Sequence, residues 1–284
     1  MLKLNYLAAE MLRKLLDTVL YSNVFIGLCA VGLVLANQLT VSSEMHFDIS
    51  CWFVFFSTVF TYSYLKITNT DDVYETTHRN WAAEHQQLAR NIMLLSLIAA
   101  AAFFLKLPTT VKWEVVGIGL FTAFYGFVEI PFVNPPVKLR RFGLAKTLFV
   151  AIVWSVTTVL VPMYSYHLQT DMMVFLLIRR FLFLLALTIA FEVKDIQGDM
   201  EYNLRTIPLV VGITNTKLLA QGILLLLIII NVIQYVFFDI GFSNMLAVNL
   251  SLVVSILCIQ PVGENTHDKW YYLVLDGMMI LQFV

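Results

Sequence analysis

Charge is scarce in this chain of 284 residues: 13% are Asp, Glu, Lys or Arg, against 60% hydrophobic. Soluble domains carry about 25% charged residues, so a water-soluble globular class is excluded. Cysteine is almost absent as well. Cys29, Cys51 and Cys258 lie in apolar runs with no paired spacing, which excludes a disulfide framework and makes them packing residues. The five histidines (His46, His78, His85, His167, His267) are scattered, and neither H-E-x-x-H nor C-x-x-C occurs, so zinc chemistry is not expected. Basic residues form no long tract and the net charge is −1, so no nucleic-acid partner is expected.

What the chain has instead is hydrocarbon. Runs long enough to cross a bilayer number about nine. They fall near residues 15–36, 47–67, 90–106, 112–131, 143–163, 172–192, 217–238, 243–261 and 270–284. Backbone groups in lipid must pair within their own segment, so the expected class is an all-α polytopic membrane protein. No soluble domain fits between the runs, and residues 1–284 read as one integral membrane domain. The amphipathic stretch 1–20 leads into a first span too long for a signal h-region, so no cleaved signal peptide is expected.

Lys and Arg set the orientation. With a cytoplasmic N-terminus, Lys3, Arg13, Lys14, Lys66, Arg79, Arg90, Lys138, Arg140, Arg141, Lys146, Lys194, Arg205, Lys217 and Lys269 all fall inside, and only Lys106 and Lys112 fall in outer loops. Nine spans then leave the C-terminus on the opposite side, in what reads as a cell inner membrane. The long polar segments 67–90, 132–146 and 193–216 share the cytoplasmic side, so chemistry is expected there.

The most informative stretch closes the sixth span. Glu192, Asp195 and Asp199 form E-x-x-D-x-x-x-D, and helical spacings of three and four put them on one face. Clustered acids need a cation, and Mg²⁺ prefers a few carboxylate oxygens together with substrate phosphates. A solvated, charged helix end is the alternative, and spacing alone leaves both open. A second acidic loop, Asp71-Asp72-x-x-Glu75, follows the second span. If the helices form a ring, the two loops converge over a central cavity open toward the cytoplasm. Lys138, Arg140 and Arg141 add a basic cluster on that side, suited to phosphate charge or to lipid headgroups.

Arg205-Thr206-x-Pro208 and Gly212 continue the acidic motif. With these residues, the span count and the loop sizes, the chain resembles the UbiA superfamily of intramembrane prenyltransferases across nearly its whole length. The resemblance implies about nine transmembrane helices around a cavity, two Asp-rich motifs after helices two and six, and Mg²⁺. It implies an isoprenoid diphosphate donor whose carbocation alkylates an acceptor, here unidentified, with membrane lipid as surroundings. Carried over, Glu192, Asp195, Asp199 and Asp71 are the expected metal ligands, with Asp195, Asp199 and Lys138 catalytic. Lys138, Arg140, Arg141 and Arg205 are the expected diphosphate contacts. Tyr62, Tyr64, Tyr125 and Trp154 would face the carbocation, because ring faces attract cations.

Two departures stand out. The first motif aligns with Ser63, Tyr64, Ile67 and Asp71, so only its last acid survives, and Asn134 replaces an expected Tyr four residues before Lys138. The eroded motif favours the alternative of a non-catalytic isoprenoid- or lipid-binding protein of the same fold. A transporter, with acids at the bilayer midplane, fits less well. Asn23 and Asp276 are expected as polar positions inside the first and last spans, facing a cavity or another helix. Arg179 and Arg180, in the outer half of the sixth span, are expected to snorkel outward or to pair with Asp171, Glu44 or Asp48.

Overall fold

The computed structural model describes residues 2–42, 44–68, 77–127, 129–130, 137–138, 143–201, 205–238 and 240–282. Side chains are described for 10–42, 44–67, 80–123, 144–201, 205–238 and 240–282. The described chain is helical apart from a two-residue antiparallel ladder in which Glu129 faces Lys138 and Ile130 faces Val137. Six helices are long and apolar enough to cross a membrane: α2 (Val24–Ser42), α5 (Gln86–Lys106), α7 (Gly143–Met163), α8 (Thr170–Phe191), α11 (Ile213–Phe237) and α12 (Phe242–Ile259). Two more, α3 (Ile49–Thr68) and α6 (Thr109–Phe127), have the length but carry more polar side chains. The segment expected at 270–284 is a π-helical turn, Trp270–Leu275, continued by the short Gly277–Leu281.

The expected first span is split. An N-terminal helix, α1 (Leu2–Tyr21), is separated from α2 by only Ser22 and Asn23, and Asn23 is left-handed at φ 66°. Asparagine tolerates that conformation because its short amide bonds locally. Asn23 therefore lies at the entrance of the span instead of within it. Its Nδ2 donates to Ser63 Oγ on α3 at 2.9 Å. Lys66 secures the same corner, donating to the Tyr21 carbonyl at 2.7 Å with its ammonium over the Trp81 ring.

Apolar packing organises the bundle. Leu33, Phe183, Leu224, Leu227 and Leu252, from α2, α8, α11 and α12, are fully buried in one cluster. Outside it, Leu105 (71% exposed), Leu120 (67%) and Leu257 (65%) face outward; such surface suits acyl chains and not water. Two glycines on α2 allow close approach. A Cβ on Gly27 would come within 2.7 Å of Val59, and one on Gly32 within 3.1 Å of the Ile280 backbone. Small residues at such crossings let helices pack in lipid, where no hydrophobic force drives them together.

Arg179 and Arg180 do not snorkel, and among the described residues neither meets a carboxylate. Both are buried, at 5% and 2% exposure. Arg179 donates to Gln234 Oε1 (3.2 Å) and Thr40 Oγ1 (3.0 Å). Arg180 donates to the Leu33 carbonyl (2.8 Å), Asn37 Oδ1 (2.6 Å) and Gln282 Oε1 (3.4 Å). The acids expected as partners are engaged elsewhere or exposed: Asp48 caps α3 through Ser50 and the Cys51 amide, Glu44 pairs with His46, and Asp171 is exposed. Neutral oxygens on α2, α11 and the C-terminal segment lie at the arginines' depth and take several of the guanidinium protons without ion pairing, although Arg180 Nε is buried with no partner.

Candidate active site

Helix α8 does not continue straight through the acidic motif. After Phe191 the chain tightens into a turn, with Val193, Lys194 and Asp195 amides donating to carbonyls three residues back. A short helix, α9 (Ile196–Glu201), then resumes the path. Tightening by i→i+3 bonds changes the angular step per residue, so the three acids no longer share an ideal helical stripe. Glu192 and Asp195 are nonetheless joined by a residue far away in sequence. Lys146 Nζ, from the first turn of α7, is 2.9 Å from Asp195 Oδ2 and 3.8 Å from Glu192 Oε1. Thr147 beside it donates to Glu192 Oε1 at 3.0 Å. Lys194 reaches Asp195 Oδ1 at 3.5 Å and lies over the Tyr272 ring.

Electrostatics separate the motif's last two acids. Burial opposes ionisation of Asp195, but Lys146 and Lys194 beside it hold its carboxyl well below the usual carboxylate range. Burial raises Asp199, and Lys146 only partly offsets this. Asp199 Oδ2 and Glu192 Oε2 are both buried with no hydrogen-bond partner, as is Thr206 Oγ1 of the R-T-x-P element. Lys194 is held up by Asp195 and Tyr272 although burial opposes its charge.

This cluster lies at the mouth of a cavity of about 280 Å³. Lys146, Glu192 and Asp195 line it at one end, and Asn23, Tyr62, Trp154 and Asp276 line the rest among apolar side chains. A second cavity of about 330 Å³ lies between α3, α6 and α7, lined by apolar groups with hydroxyls such as Ser57, Thr61 and Thr157. Tyr62 and Trp154 line both. Trp154 Nε1 donates to Tyr62 Oη at 3.0 Å and the rings meet edge-on, so this pair forms the partition.

The structure thus brings Glu192, Asp195, Asn23, Asp276, Tyr62 and Trp154 to one cavity. Asp199 is buried beyond it on α9, Tyr64 lines the second cavity instead, and Arg205 is exposed between α9 and α10 (Ile207–Val211). Asp71, Arg140 and Arg141 lie outside the described residues; for Lys138 and Tyr125 only the backbone is described. The first-motif positions serve other ends. Ser63 is held by Asn23, and Ile67 is 37% exposed, with α3 helical to Thr68. Sequence reasoning missed Lys146 and Thr147, counting Lys146 only toward orientation. The available signal was a lysine in the first turn of an apolar span, where cations are costly unless paired.

Among the described residues no three His, Cys, Asp or Glu side chains close into a metal-binding group. The unpartnered oxygens of Glu192 and Asp199 fit a hard cation that takes its other ligands from phosphate and water, which is how Mg²⁺ is usually held. They do not form an all-protein cage.

No protein-family model matches the chain, and no curated protein sequence does. A solved structure of a digeranylgeranylglyceryl phosphate synthase in membranes is similar, with a TM-score of 0.58 at 13% identity, covering 95% of this chain and 97% of that one. At that identity the likeness shows the fold alone: the same helical bundle over nearly all of both chains.

Proposed function

We propose that this chain is a membrane prenyltransferase, transferring an isoprenoid group from an allylic diphosphate to an acceptor. The observation that carries the reading is the placement of Lys146, Glu192 and Asp195 at one end of a largely apolar cavity walled by Tyr62 and Trp154, with Lys194 paired to Asp195 behind it. A prenyl diphosphate has the same polarity, a charged head on a hydrocarbon tail. The fold shared with a prenyl-transferring synthase supports the same reading.

In this reading the diphosphate lies against Lys146, whose ammonium group meets charge as it develops on the leaving oxygen, while Lys194 acts from behind Asp195. Glu192 and Asp199 would hold Mg²⁺ through their free oxygens, and the ion would supply further neutralisation of the leaving group. Asp195 holds both lysines in place. The Tyr62 and Trp154 rings face the cavity where the allylic cation forms, and the apolar walls keep water from it. Arg205, exposed between α9 and α10, would supply a further phosphate contact, and the same role is proposed from the sequence alone for Lys138, Arg140 and Arg141. We assign this end to the cytoplasmic side of the membrane, a reading supported by the bias of Lys and Arg in the sequence.

A non-catalytic isoprenoid-binding protein is the second reading, favoured by one observation: Lys146 and Lys194 already neutralise the central acid. The deciding experiment is binding of an unreactive isoprenoid thiolodiphosphate to the purified protein with and without Mg²⁺, followed by turnover of the reactive diphosphate. Mg²⁺-dependent binding with release of diphosphate is expected. Binding without any turnover across acceptors would establish the second reading, and no binding would end both.

A further inference from the structure

The N-terminal helix α1 meets the cavity only at its last turn, where Leu20 reaches the wall. Its charges bar it from the hydrocarbon core: Glu10, Arg13, Lys14 and Asp17 fall within about two turns. Yet Met11 (70% exposed), Leu12, Leu15 (60%) and Leu16 are left uncovered by the described residues. At about 100° per residue these apolar side chains share one face. Glu10 and Asp17 lie together on the opposite face, and Arg13 and Lys14 border the acids on either side. The bundle covers the acidic face, where Asp17 pairs with Lys269 at the head of the C-terminal segment. One turn further on, Leu20 and Tyr21 pack with Trp81, and Lys66 donates to the Tyr21 carbonyl, so this end of α1 is fixed. Lys14 pairs within the helix, with Glu10, and Arg13 forms no ion pair among the described residues.

Only Ser22 and Asn23 separate α1 from the span α2, so its fixed end lies at the level where that span meets the headgroups. An apolar face that starts there is continuous with the outward-facing leucines of the bundle, and acyl chains suit both. The charges agree with that placement. Basic side chains at the borders of an apolar face lay their stems along it and raise their heads to phosphate. Acids at the centre of the polar face stay furthest from the phosphate layer. We propose that α1 is an interfacial helix docked on the phospholipid surface at which α2 enters the membrane. Met11, Leu12, Leu15 and Leu16 lie among the acyl chains, and Arg13 and Lys14 meet headgroup phosphates. A second copy or another protein would need no such sorting of charge by depth.

The test uses the full-length protein, one copy per nanodisc of phosphatidylcholine and phosphatidylglycerol. Cys29 and Cys51 are buried, so with Cys258→Ser a single introduced cysteine takes a bimane label. Labels at Met11→Cys and Leu15→Cys are expected to be quenched by a doxyl group near the head of the acyl chain. Aqueous iodide should quench them at least about threefold less than a label at Glu10→Cys, on the opposite face. Equal quenching of all the labels by iodide would put the face in water and overturn the proposal. So would a Met11 or Leu15 label that neither quencher reaches, since with one copy per disc only the protein's own chain could cover it. Leu15→Glu is expected to turn the Met11 label from doxyl to iodide quenching with the melting temperature unchanged, since Leu15 faces away from the bundle. A label that stays in lipid in that variant would show that this face does not do the docking. Arg13→Glu with Lys14→Glu is expected to cut doxyl quenching at Met11 by about half. Undiminished quenching would remove the headgroup contacts from the proposal.

Discussion

Lys146 Nζ and Asp195 Oδ2 lie 2.9 Å apart, joining the first turn of α7 to the turn that closes α8. The pair sets the charge of the cavity mouth. Both side chains remain more than a third accessible (38% and 39%), so solvent at the mouth screens them. Their contribution to stability is accordingly small, about 1 kcal/mol or less, and their significance is for what binds.

Lys146→Met should therefore separate binding from folding. The melting temperature is expected to move by a few degrees at most, while affinity for an isoprenoid thiolodiphosphate falls at least tenfold. Lys146→Arg should restore part of it, since the charge is kept. Unchanged affinity in Lys146→Met would remove this lysine from the site.

Asp195→Asn and Asp199→Asn should both lose turnover yet shift stability in opposite directions. Asp195 has a lowered folded pKa, so its contribution is present above about pH 4, the unfolded value, and is lost as pH falls through the folded one. Asp199 has a raised folded pKa, so its favourable protonation is complete below about pH 4 and lost as pH rises through the folded value. At pH 7 Asp199→Asn is expected to melt above the natural protein, by about 1 kcal/mol of relieved burial. The gap should close on acidification. Asp195→Asn should melt below it at pH 7, with its deficit also shrinking in acid. Thermal melts from pH 2 to 8 decide both signs, the Asp199 gap closing above about pH 4 and the Asp195 deficit shrinking only below it.

Arg180→Met should destabilise the fold by about 3 kcal/mol, because Asn37, Gln282 and the Leu33 carbonyl lose their donor inside the bundle. Adding Asn37→Leu and Gln282→Leu is expected to recover part of the loss. Additive losses in the triple variant would show that these groups do not act as one network.

Gly32→Ala should cost about 1 kcal/mol, since the new methyl meets the Ile280 backbone at 3.1 Å and helix axes must separate. Gly222→Ala, where a Cβ meets nothing within 4 Å, is the control.

The bundle was legible because apolar length is a local property: α2, α5, α7, α8, α11 and α12 each carry their own signal. Glu192 and Asp195 were legible as a pair for the same reason, three residues apart on one chain. The break at Ser22–Asn23 was not, because a hinge inside an apolar run leaves hydropathy unchanged. Nor were the neutral partners of Arg179 and Arg180, which come from helices distant in sequence.

By itself, then, the sequence determined that the chain is a helical membrane protein with acids gathered at the end of one span, since burial in lipid and the spacing along one helix need no partner. Only the tertiary structure decided that Lys146, 49 residues away, neutralises Asp195. It alone set Tyr62 and Trp154 as a partition between two cavities, and a π-turn to aim Asp276 inward. Those outcomes depend on which helices lie side by side and how closely, and that is fixed by packing between segments that carry no mark of one another in their order along the chain.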